Sequence, residues 1–267
     1  MNIEVSQKKS PLKFHILLIV LSLPFWILGV VAGRLADQLP INLPISALMA
    51  ICPIIAAIIL VHKENGARGI RELMGRTFYY KGVSNKIWYL PCVFMMPLVL
   101  LLSYTAMRLL NLPLPIPHIQ IIAIPIFLLV FFIAAIAEEV GWTGYLYEPM
   151  LKRWSALKTG VFIGAIWGIW HVIPLIQAGN DPIWIVWQVI TSIFNRILMI
   201  WIYNNSRKNV FLGIIYHMMI NVSVFLFPNY GSHYDPAITS IILGIVTMIV
   251  TFLWGSKTLA KYRLSKR

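Results

Sequence analysis

IIAIPIFLLVFFIAAIAEEVGWTGYL, residues 121–146, is an uncharged apolar run that ends on two adjacent acids, Glu138 and Glu139. The acids are followed by another apolar stretch, not by a polar loop. A bilayer core is crossed by about 20 mostly apolar residues in helical form. The run is apolar on every side, which is the pattern of a helix surrounded by lipid or by other helices. It therefore reads as a membrane span that carries two carboxylates inside it.

The rest of the chain has the same character. Its 267 residues are 59% hydrophobic and 12% charged, whereas soluble domains carry about a quarter charged residues. Eight stretches are long enough to span: 14–33, 42–62, 88–110, 119–147, 159–178, 183–203, 209–228 and 236–255. None alternates as the strands of a membrane barrel do. The expected fold is all-α, a polytopic bundle of about eight transmembrane helices. Pro53, Pro97, Pro125, Gly164 and Gly168 fall inside spans, where helix breakers are tolerated. The first apolar stretch is long enough to cross and many more follow, so it reads as a span and not as a cleaved signal.

Basic residues set the orientation. Of the 22, all but Arg34, Arg108 and Arg196 fall in the two tails or in every second loop. The N-terminal tail, 1–13, holds Lys8, Lys9 and Lys13, and the C-terminal tail, 256–267, holds five more. Basic loops stay on the cytoplasmic side, so both termini are expected there, in a multi-pass protein of the cell membrane. The net charge of +13 is then a topology signature. It implies an anionic lipid surface as partner, not nucleic acid. The basic segment 63–87, which contains RGIRELMGR, reads as a solvated, topology-setting loop, with an amphipathic turn or two on the membrane surface as the alternative. Cys52 and Cys92 lie in different apolar runs and read as packing residues.

Few polar groups lie deep in the spans, and they fall on four of them. Of the nine acids only Glu138 and Glu139 do, and of the six histidines only His171 and His217. Asn221 and the pair Asn195 and Arg196 join them. An ionisable group at depth costs at least ~2.5–3.5 kcal/mol and usually marks a function. At ~1.5 Å per residue, Glu138, His171 and His217 are expected ~12–17 Å from the cytoplasmic end. Trp167 and His171 are four residues apart, as are His217 and Asn221, and Glu139 and Thr143, so each pair shares a helix face. Glu138 and Glu139 point about 100° apart, which gives them separate roles. Trp167, Trp170, Trp184, Trp187 and Trp201 read as packing or interfacial belts.

At these residues the chain resembles the CPBP family of intramembrane proteases, which includes CAAX prenyl endopeptidases and bacteriocin-processing relatives. The family's glutamate pair matches EEVGWTGYL at Glu138 and Glu139. Its aromatic residue followed by histidine four positions on matches WGIWH, Trp167 to His171. Its histidine followed by asparagine four positions on matches HMMIN, His217 to Asn221. The resemblance covers about residues 131–228 of a transmembrane protease-like domain, 14–255. One position departs: where the family has arginine four residues after its second glutamate, this chain has Thr143. Threonine cannot neutralise Glu139, and Arg196 is the expected substitute.

The resemblance implies hydrolysis of a peptide bond in a membrane-associated peptide or protein. Glu138 would be the general base that activates water, with His171 orienting that water. His217 and Asn221 would donate to the oxyanion, and Glu139, Thr143 and Arg196 would support them. No cofactor is favoured. Zinc held by His171, His217 and Glu138 is the other chemistry open to this set, although HExxH is absent. Buried acid and histidine groups also build proton relays, so a proton-coupled transporter is an alternative. A catalytically inactive relative that binds a peptide toxin and confers immunity is another.

Overall fold

The computed structural model describes residues 10–31, 45–83, 85–260 and 262. Lys8, Lys9, Arg34 and most of the basic C-terminal tail lie outside the described residues. Helices α1 (Pro11–Val31), α2 (Cys52–Thr77), α3 (Tyr89–Leu109) and α4 (Ala123–Glu139) come first. A π-helical segment, Val140–Leu146, joins α4 to the short α5 (Tyr147–Leu151). Then follow α6 (Ala156–Trp170), α7 (Val172–Gln177), α8 (Pro182–Asn205), α9 (Val210–Leu226) and α10 (Pro236–Trp254). Among the described residues, seven helical stretches are long and apolar enough to cross a membrane. The eighth expected span is α9, which is apolar but only 17 residues long. The chain is thus a polytopic helical membrane bundle.

Local chemistry sets the helix starts. Asp181 and Asp235 each accept two backbone N–H bonds from the first turn of α8 and α10. Proline follows each of them at the first helical position, where its missing N–H costs nothing. Ser155 caps α6 and Asn209 caps α9 in the same way. Large apolar side chains such as Leu98, Leu101, Leu129, Ile133, Ile241 and Phe252 are more than half exposed. On a soluble monomer so much exposed apolar surface would be anomalous; on this one it is the lipid-facing side.

One expectation needs correction. Much of 63–87 is not a loop, because α2 continues to Thr77 through a kink at Gly66, whose φ of 62° is the left-handed conformation that suits glycine. Beyond the kink the helix is amphipathic: Gly69, Leu73 and Thr77 are buried, while Arg68, Arg71 and Arg76 are exposed. The hydropathy of the stretch is low, but its apolar residues recur at helical spacing. The helix starts differ from the expected span ends, α6 beginning at Ala156 and α9 at Val210, and the polar groups of the four helices meet at one level of the bundle.

The packing that matters most is α6 on α8. Gly160, Gly164 and Gly168 form one stripe of α6, and a Cβ on Gly164 would lie 2.5 Å from the Ile193 Cα. Without a driving force from water, membrane helices associate through such close backbone approach. On the other side of the site, Gly141 in the π segment lies against α2, where a Cβ would come within 2.5 Å of the Pro53 carbonyl oxygen.

Candidate active site

Four helices supply the polar groups. The end of α4 brings Glu138 and Glu139, the end of α6 brings Trp167 and His171, α8 brings Arg196, and α9 brings His217 and Asn221. The π segment begins at the residue after Glu139. Such π-helical turns recur at functional sites because they re-aim side chains relative to an α-helix.

The two glutamates have different surroundings. Glu138 is 4% exposed, and its Oε2 accepts a hydrogen bond from the Trp167 indole N–H at 2.8 Å. Its Oε1 lies 3.9 Å from His171 Nε2, too far for a direct hydrogen bond. Glu139 is fully buried and held by three partners. Arg196 Nη1 donates to its Oε2 at 2.7 Å, Thr143 Oγ1 donates to the same oxygen, and His217 Nδ1 lies 2.8 Å from its Oε1. A carboxylate with a guanidinium at that distance is ionised, so the His217 Nδ1–H is the donor.

Backbone contacts fix the other imidazole. His171 Nδ1 is 2.8 Å from the Trp167 carbonyl oxygen, which can only accept. The Nδ1 therefore carries the proton, and Nε2 is the nitrogen turned towards Glu138. The His171 side chain is 30% exposed, which makes this the open part of a site otherwise closed. His217 is 2% exposed. Asn221, one turn beyond it, is half-buried, and its amide has no hydrogen-bond partner among the described residues.

Arg196 is a fully buried cation. Its guanidinium carbon sits 4.1 Å from the Trp167 ring centroid and 5.6 Å from that of Trp142. Cation–π contact on two rings, with the ion pair to Glu139, offsets its desolvation. Thus the cation absent from position 143 is delivered from another helix, and Thr143 serves as a hydroxyl donor to Glu139.

Sequence reasoning undervalued several residues. Trp167, read as packing, is a direct partner of Glu138. Its place one turn before His171 was the available signal. The glycine stripe of α6 was read only as tolerated, although its four-residue spacing is the mark of close helix contact. Glu148, just past the expected end of the fourth span, is buried and paired with Lys208 at 2.7 Å. Tyr216, not singled out, donates to buried Asn195 at 2.9 Å.

For zinc, the donors to consider are His171, His217 and Glu138. Among the described residues no group of three His, Cys, Asp or Glu side chains is arranged to hold a metal ion.

The stretch that carries these motifs is similar to known proteins. The family described as type II CAAX prenyl endopeptidase Rce1-like matches residues 120–223, which take in the glutamate pair and both histidine motifs. CAAX prenyl protease 2 of Methanococcus maripaludis is 28% identical over 238 residues, covering 82% of this chain and 85% of its own length. With glutamate pair, aromatic–histidine and histidine–asparagine motifs gathered in one membrane bundle, the chain is similar over this region to the type II CAAX prenyl endopeptidases.

Proposed function

We propose that this protein is an intramembrane endopeptidase that cleaves a membrane-associated peptide or protein by glutamate-activated water. The family and the relative's name support a protease resembling the CAAX prenyl endopeptidases. The observation that carries the mechanism is the 3.9 Å separation of Glu138 Oε1 and His171 Nε2. Groups this far apart accommodate one water oxygen within hydrogen-bond distance of both.

Glu138 takes a proton from this water as the water attacks the scissile carbonyl, and later passes it to the leaving amine. His171 holds the water through Nε2, its tautomer set by the Trp167 carbonyl. The developing oxyanion is met by the free amide of Asn221 and by the Nε2 edge of His217. That edge donates when both ring nitrogens carry a proton, the Nδ1–H being held by the Glu139 carboxylate. Glu139 does not touch the scissile bond in this scheme. Together with Arg196 and Thr143 it fixes His217. Both termini lie on the cytoplasmic side of the cell membrane, and the basic end of the bundle faces anionic headgroups.

The test is cleavage by the purified full-length chain in phosphatidylethanolamine–phosphatidylglycerol vesicles, with EDTA present throughout. Two fluorogenic peptides of one sequence serve as probes, one carrying a farnesyl thioether on a cysteine near its C-terminus and one without it. Cleavage of either by wild type and by none of the Glu138 variants supports the proposal. The difference between the two peptides reports whether a prenyl group is recognised. Cleavage only after zinc is added back would replace the metal-free mechanism.

A further inference from the structure

Trp167 sits between the two glutamates. Its ring faces the Arg196 guanidinium, at 4.1 Å from centroid to carbon. Its edges meet both imidazoles, with centroids 5.4 Å from His171 and 5.2 Å from His217, both nearly perpendicular. Each of those contacts asks only for an aromatic ring, and phenylalanine would satisfy them. What the indole adds is one N–H, and that N–H is spent on Glu138 Oε2 at 2.8 Å. Trp167 is itself only 6% exposed, so no water competes for the bond.

We infer that Trp167 is a positioning residue of the reaction, whose indole N–H ties down Glu138 Oε2 and so presents Oε1 to the water held by His171. A glutamate side chain has three rotatable bonds and, at the end of a helix, no other fixed orientation. Among the described residues the indole is the hydrogen-bond partner that Glu138 has. The alternating use of one oxygen as base, with the other held, keeps proton pickup and delivery on the same atom. Because the indole also carries Arg196 on its face, one side chain sets the base and steadies the cation that pairs with Glu139. The glycine stripe of α6 makes this possible, because it lets α6 approach α8 until indole and guanidinium stack.

This inference rests on Glu138 being the base. Its test separates the N–H from the ring. Trp167 is replaced by benzothienylalanine, which keeps the shape and the aromatic face but has sulfur in place of N–H, and by phenylalanine as Trp167→Phe. Cleavage of the farnesylated peptide in the vesicles described above is then measured beside wild type and Glu138→Gln. Loss of one hydrogen bond to a charged group should lower kcat by about tenfold to a hundredfold in both variants. KM and the unfolding midpoint of the benzothienylalanine protein should stay those of wild type. A kcat equal to wild type, with Glu138→Gln inactive, overturns the inference and leaves the proposed function standing. Full activity of Glu138→Gln removes the base itself. A second arm needs no catalysis: in isotope-labelled protein the Trp167 indole proton should move upfield in Glu138→Leu, and an unmoved resonance overturns the inference.

Discussion

The Arg196 guanidinium lies 2.7 Å from the Glu139 carboxylate, and neither side chain has any exposed surface. The two residues come from α8 and α4, 57 positions apart in sequence. Removing one partner of a buried pair leaves an uncompensated charge, which costs about 3–5 kcal/mol. Arg196→Met should therefore lower the unfolding midpoint in detergent sharply. Thr143→Arg alone should also destabilise, because Thr143 is buried and a second guanidinium would meet the first. Together they should restore at least half of the stability lost in Arg196→Met, since arginine at position 143 lies four residues from Glu139. A double variant no more stable than Arg196→Met would show that Arg196 does more than supply charge.

A second ion pair of the same length gives the contrast. Lys208 Nζ and Glu148 Oε1 are also 2.7 Å apart, but the lysine side chain is 60% exposed. Solvent screens the lysine end, and Arg76 and Lys152 also act on the buried Glu148 carboxylate, so losing Lys208 leaves it less uncompensated than losing Arg196 leaves Glu139. Lys208→Met should leave the unfolding midpoint within a few degrees of wild type, measured under the same conditions as Arg196→Met.

The approach of α6 to α8 gives a prediction about glycine. A Cβ at Gly164 meets the Ile193 backbone at 2.5 Å, whereas a Cβ at Gly213 meets side-chain atoms of Thr143 and Met199 at 3.5 Å or more. Gly164→Ala should cost about 1–3 kcal/mol as overpacking and, by moving Trp167 and His171 away from Glu138, most of the activity. Gly213→Ala should be tolerated in thermal unfolding. Equal effects of the two substitutions would contradict the packing described.

Asn221 separates catalysis from stability. Its amide has no hydrogen-bond partner among the described residues, so Asn221→Ala should change the unfolding midpoint little. As an oxyanion donor its loss should lower kcat by about a hundredfold to a thousandfold, with KM nearly unchanged. A larger effect on KM than on kcat would assign the amide to substrate binding.

How much of this was legible depended on the physics of each feature. Spans such as 236–255 follow from hydropathy, because the bilayer demands length and apolarity and little else. The kink at Gly66 was not legible, since a glycine amid polar residues reads equally well as loop. Nor was the π segment after Glu139, because VGWTGYL has the composition of the α-helix before it, and its altered register comes from α2 packing on Gly141 and Gly144. In the site, residue types and spacing brought out Glu138, His171, His217 and Asn221. The partner of Glu139 was inferred from a missing arginine. Trp167 was singled out beside His171, but its bond to Glu138 was not legible, because in a chain with ten tryptophans neither spacing nor residue type says where an indole N–H points.

The central claim is that Glu138 activates the water. Its most direct measurement is the rate at which purified Glu138→Gln protein cleaves the farnesylated peptide in vesicles, beside wild type. Glutamine keeps the size of the side chain and can still accept the Trp167 N–H, but it cannot take a proton. The account predicts a folded protein with the wild-type unfolding midpoint and cleavage reduced by at least about a hundredfold. Cleavage at the wild-type rate by that folded protein would contradict it.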